Sequence, residues 1–154
     1  MNLPGQALHA LEVPLQQQKG RLRISRCRAR AGAWLRVVRV DGPDLAVLAY
    51  GEGAYTNDAI RIAAEDFQAG HREYSSVYGK IEPEIALGAV DAQDELDAWI
   101  LKGNRLEAYL GVIFVVELVE CLEGRRVRTG ASDSIEQAIV RAFSATPANV
   151  PVAR

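Results

Sequence analysis

Sliding the chain against itself by 79 positions brings residues 34–67 onto residues 113–146 without a gap. Val37 falls on Val116, Val40 on Val119, Leu48 on Val127 and Gly51 on Gly130. Ala59-Ile60 falls on Ala138-Ile139, and Ala63 on Ala142. A repeat constrains a fold more than composition does, because one copy cannot bury its apolar face alone and must pack against the other.

Each copy reads alike. Residues 34–40 and 112–119 are β-branched or aromatic runs, which favour strands. Asp41-Gly42-Pro43-Asp44 and Glu123-Gly124 carry turn chemistry, so each strand returns as a hairpin through 45–50 or 125–129. Gly51 or Gly130 then breaks the strand and a helix begins. Ile60, Ala63, Ala64 and Phe67 form one helical stripe; Ile135, Ala138, Ile139, Ala142 and Phe143 form the other. The N-caps are Thr56 or Asn57 in the first copy, and Ser134 with Gln137 in the second.

A third strand precedes each hairpin. Leu22, Ile24, Cys27 and Ala29 supply the first, with a bulge after Ile24. Residues 95–102 supply the second, although Leu96, Trp99 and Ile100 suit a helical period equally. The expected fold is therefore α+β: an internal duplication of a βββα unit, with antiparallel sheets and helices packed on one face. The units span 21–70 and 95–145, with a linker over 71–94 and loosely held or partner-docked ends at 1–20 and 146–154.

At 154 residues, 49% hydrophobic and 25% charged, the chain can bury a full core. No apolar run reaches the ~20 residues that span a bilayer, and the start lacks a signal-peptide pattern, which points to the cytoplasm. Cys27 and Cys121 read as buried free thiols. With His9 and His71 the only histidines and no CxxC pair, no metal site or cofactor is expected. Net charge is −2, yet Lys19, Arg21, Arg23, Arg26, Arg28, Arg30, Arg36 and Arg39 follow one another with no acidic residue between. Such a stretch can bind phosphate or line a solvated strand face.

Phosphate loops, HExxH and GxSxG are absent, so no catalytic residues are assigned and the chain reads as a non-enzyme. The informative feature is the strand–Gly–helix junction, present twice: Gly51, Gly53, Ala54, Tyr55 and Thr56, then Gly130, Ala131, Ser132 and Asp133. Unpaired N–H groups and the positive dipole end at a helix start favour a carboxylate, and small residues let a ligand come close. A tight turn that merely joins strand to helix would look the same.

The order strand, hairpin, GxG-type junction, alanine-rich helix, repeated, resembles the C-terminal regulatory (dimerisation) domain of 2-isopropylmalate synthase and citramalate synthase. The match rests on Gly51-Glu52-Gly53 through Ala59-Ile60, and on Thr129-Gly130-Ala131-Ser132-Asp133 through Ala138-Ile139. The resemblance implies a homodimer that senses a branched-chain amino acid, leucine-like, at the dimer interface near the helix starts. It also implies allosteric action in trans on a synthase partner. Two other readings compete. A double-stranded RNA-binding module shares the strand–GxG–helix order, but Asp58, Asp133 and Glu136 would repel phosphate there. A purely structural dimer is the alternative, with the apolar run 112–119 covered by helices on one side and a second subunit on the other.

Overall fold

The computed structural model describes residues 1–28, 32–71, 91–121 and 126–149. In chain order the elements are α1 (Gly5–Gln17), β1 (Arg21–Arg28), β2 (Trp34–Asp41), β3 (Val47–Gly53), α2 (Thr56–Gln68) and α3 (Glu95–Leu101). They continue as β4 (Arg105–Leu110), β5 (Phe114–Glu120), β6 (Arg126–Ser132), α4 (Ile135–Ser144) and the two-residue β7 (Ala148–Asn149). The strands make one antiparallel sheet in the order β3-β2-β1-β4-β5-β6-β7.

Period-2 alternation separates the helix-facing side from the other face, which is itself buried around Leu35, Val37 and Tyr50. Leu22, Ile24, Val38, Val40, Leu106, Ala108, Val116 and Leu118 are all fully buried on one face. Leu8, Leu11 and Leu15 of α1 join the same core, as do Ile60 and Ala63 of α2, Leu96 and Ile100 of α3, and Ile135 and Ile139 of α4. The fold is thus α+β with the helices on one side of the sheet.

Each half contributes three consecutive antiparallel strands, β1–β3 and β4–β6. Ile24, Val38 and Gly51 form one rung; Ala108, Val116 and Gly130 form its counterpart. The halves meet where β1 pairs antiparallel with β4, Leu22 opposite Ala108 and Ile24 opposite Leu106. Val116 therefore corresponds to Val38, one residue on from the Val37 of the gapless alignment. The first hairpin closes with one residue fewer between Val38 and Gly51 than the second between Val116 and Gly130. The antiparallel junction also sends β3 and β6 in opposite directions, so α2 and α4 start at opposite ends of the sheet.

Several expectations are corrected. The N-terminal segment is not a loose tail: α1 buries Leu8, Leu11 and Leu15 to 1% exposure or less. Residues 95–101 form helix α3, not a strand, because the Asp94 side chain accepts from Asp97 N and caps it, while Leu96 and Ile100 stack at i, i+4 into the core. The strand that opens the second half is β4, whose Leu106 and Ala108 alternate inward. Neither Gly51 nor Gly130 breaks a strand, since β3 runs to Gly53 and β6 to Ser132. The cap of α2 is Tyr55, not Thr56 or Asn57. In the C-terminal tail, Ala148–Asn149 pairs with β6. Linker residues 72–90, the turn at Glu123-Gly124, and Ala29 and Arg30 lie outside the described residues.

Side chains of α2 and α4 engage backbone groups of β3 and β6. Tyr50 N donates to Asp66 Oδ2 of α2 at 2.9 Å, and Arg141 Nη1 of α4 donates to Ala131 O at 2.7 Å.

Candidate functional site

Glycine at positions 51 and 130 serves helix–sheet contact. A Cβ on Gly51 would run into Ala59 O and Ala63 N of α2; one on Gly130 would run into Ala138 O and Ala142 N of α4. These are backbone atoms and cannot swing aside, so the glycines let each helix lie directly on its strand. Gly53 is similarly closed, its Cβ position 2.8 Å from Ala59 N.

The helix starts are filled by the protein's own carboxylates. Thr56 donates to Asp97 Oδ1 from its backbone N at 2.9 Å and from Oγ1 at 2.7 Å. Asp97 is 1% exposed and paired with Arg36, which is fully buried. Arg36 Nε meets Oδ1 and Nη2 meets Oδ2, both at 2.9 Å, a bidentate geometry. Arg36 also donates to Trp34 O at 3.1 Å and to Asp91 O at 2.9 Å. Burial alone would raise the Asp97 carboxyl, but hydrogen bonds from Thr56, Arg36 and Gln93 outweigh it and hold it below its ordinary value. At the other entrance Ile135 N donates to Glu12 Oε2 of α1 at 2.9 Å, and Glu12 is 5% exposed.

Of the remaining candidates, Tyr55 stays at the α2 entrance, its ring 5.7 Å from the Arg36 guanidinium and its hydroxyl donating to Asp91 Oδ1 at 3.4 Å, and the Asp91 charge raises its pKa. Ala54 is half-buried, and Ala131 and Ser132 are β6 residues paired with Val115 and Phe114. Asp133 is exposed, while Ser134 caps α4 by accepting from Gln137 N at 3.2 Å. The two clusters lie on β3 and β6, five strand spacings or about 24 Å apart across the sheet. The sequence-predicted site is therefore two separate places, each already holding an anion.

The basic stretch is dispersed as well. Strand alternation turns Arg36 to the helix side, with Arg26 donating to Leu101 O of α3 at 2.8 Å. Arg21, Arg23 and Arg39 take the opposite face, their neighbours being Tyr109, Glu107 and Tyr50. Cys27 is half-buried with its thiol pushed up to about 11 by burial and by the Glu52 charge; Cys121 is exposed, contrary to expectation. Among the described residues no cluster of His, Cys, Asp and Glu is placed to hold a metal, and no helix is long and apolar enough to cross a membrane.

What the sequence pattern misses is a cleft of about 610 Å³ at the end of the sheet where β1 and β3 begin and β2 and β4 finish. Leu15 of α1, Pro43 and Leu45 of the β2–β3 turn, and Tyr109 and Leu110 of β4 line it. Lys19, Arg21 and Arg23 also line it. Glu107 Oε1 is the acidic partner of both Arg21 and Arg23, at 3.3 and 3.6 Å, and Asp41 is taken by Arg39 at 2.6 Å. Lys19 has no ion-pair partner among the described residues, leaving a surplus of positive charge among apolar lining residues. Lys19 and Leu45 hold left-handed backbone, at φ 51° and 65°, where the chain reverses: Gly20 N donates to Pro14 O after α1, and Leu45 N donates to Gly42 O in the β2–β3 turn. The legible signal is the Lys19-Gly20-Arg21 run beside the Pro43-Asp44-Leu45 turn, but nothing local brings the two together.

No protein-family model, curated protein or solved structure matches the chain, so the resemblance to the synthase regulatory domain rests on the sequence pattern alone.

Proposed function

We propose that the chain is a binding domain with no chemistry of its own, and that its ligand site is the cleft at the end of the sheet. The ligand class is an acid carried on an aliphatic body. One observation carries this reading: Lys19, Arg21 and Arg23 line one cleft together with Leu15, Leu45 and Leu110, while the helix entrances are occupied from within. Charged groups orient the acid, and apolar side chains supply contact area. A leucine-like amino acid has this make-up, and a regulatory role toward a synthase is what the resemblance implies. Free Cys27 and Cys121 support a reducing, cytoplasmic setting.

The test is a thermal-shift titration with leucine and with 4-methylpentanoate, the same skeleton without the ammonium. A ligand at 100 times its dissociation constant adds about 2.7 kcal/mol of stability. Lys19→Glu with Arg23→Glu should erase the shift. A shift that survives this double change places the ligand elsewhere.

A second reading is the structural homodimer without ligand. It is supported by Tyr109, Val115 and Ala131, which sit side by side on the sheet face opposite the helices. Sedimentation over a hundredfold concentration range decides it, and a monomer throughout removes it.

A further inference from the structure

The apolar surface does not stop at the cleft. Beyond Leu110 the β4–β5 turn presents Val112, fully exposed, and Ile113 at 37%. Leu45, on the other side, is 79% exposed at the β2–β3 turn. Both turns lie at one end of the sheet, and β1 runs between them with Arg21 and Arg23. Leu45 and Val112 are thus separated by three strand spacings, about 14 Å. A single leucine is too short to touch both.

Extended chain advances ~3.3 Å per residue and sends every second side chain to the same side. Four steps of strand, about 13 Å, match the span between the two aliphatic tips. The midpoint of that span falls over the cations of β1. We infer that the cleft and its rim receive an extended segment of a protein partner, with an acidic residue flanked by aliphatic residues two positions away on each side. This rests on the cleft reading above and narrows its ligand to a peptide. Charge complementarity selects the acidic centre, since Lys19, Arg21 and Arg23 line the cleft and Asp41 there is already paired with Arg39. Concavity selects a peptide over a lipid surface, because Leu15, which lines the cleft and is 1% exposed, is out of reach of a flat bilayer.

The experiment is fluorescence polarisation on the full chain with a labelled probe, acetyl-Ser-Leu-Ser-Glu-Ser-Leu-Ser-amide. Three control probes carry Lys for Glu, or Ser for one or the other leucine. The expected result is saturable, salt-sensitive binding that weakens at least tenfold with each control probe. Leu45→Asn, which tolerates the left-handed turn, and Val112→Ser should each weaken binding of the parent probe about tenfold. Neither side chain is in the core, so folding is not at stake. If one-leucine probes bind as well as the parent, the two-anchor inference fails while the cleft reading stands. The inference fails in the same way if only 4-methylpentanoate or leucine binds. Binding of neither peptide nor small acid overturns both. Sedimentation with phosphatidylserine vesicles, lost in Val112→Ser, would replace the peptide with a membrane surface and also overturn the inference.

Discussion

The starts of α2 and α4 occupy matching positions in the two halves, yet they are sealed in different ways. Each helix lies on a glycine, and each start receives a carboxylate from a distant helix: Asp97 of α3 for α2, Glu12 of α1 for α4. Asp97 is locked by a bidentate, fully buried Arg36 and by both donors of Thr56. Glu12 meets one backbone N–H and the Nδ1 of His9, whose side chain is 83% exposed. A helix start accepts an anion at little cost, but an anion drawn far from water needs a full set of partners. The α2 entrance meets that demand inside the fold, and the α4 entrance partly in solvent.

The largest expected effect tests what the entrances share. Gly51→Ala and Gly130→Ala should each cost more than about 4 kcal/mol or abolish folding, because the new Cβ meets helix backbone. Urea denaturation followed by circular dichroism reads this out, and native stability in either variant breaks the equivalence of the halves. Next, Asp97→Ala should cost about 3–5 kcal/mol by stranding the Arg36 charge. Adding Arg36→Leu should recover part of that loss; no recovery would place the cost in the Thr56 contacts instead.

Acid should act through the α2 side. The Asp97 carboxyl is held below its ordinary 3.8, so its stabilisation is fully present above about pH 4 and is lost as pH falls through the depressed value. Urea midpoints should therefore drop as pH falls below about 4, and Asp97→Asn should flatten that part of the profile. An unchanged slope in the variant would assign the acid sensitivity to other carboxylates. The smallest effect belongs to α4: Glu12→Gln keeps an acceptor for Ile135 N and should cost about 1 kcal/mol. A loss as large as that of Asp97→Ala would erase the contrast between the entrances.

Much of the fold was legible because its signals are local. β-Branched and aromatic runs marked β2 and β5, and the alanine stripes marked α2 and α4. β1 was legible through Leu22 and Ile24, but the bulge expected after Ile24 is absent, because β1 pairs with β2 in unbroken register. Ser134 caps α4 as its sequence suggests. The misses also have local causes. Leu8, Leu11 and Leu15 carry a helical spacing, but Pro14 inside α1 and the lack of a side-chain cap at Pro4 obscure it. Residues 95–101 fit both periods, and the Asp94 cap decides for a helix. The candidate site went astray where small residues before a helix were taken as room for a ligand; in the folded chain that room is filled by α2 and α4 themselves.

The sequence by itself determined the β2–β3–α2 and β5–β6–α4 segments and the inward stripes of their helices, since periodicity and capping act within a few residues. Only the tertiary structure decided which of 20 acidic residues seal the helix entrances, because Asp97 lies 41 positions from Thr56 and Glu12 lies 123 from Ile135. It alone joined Lys19, Leu45 and Leu110 around one cleft. Burial creates the demand for a charged partner or an apolar wall, and burial exists only once the sheet has closed under its helices.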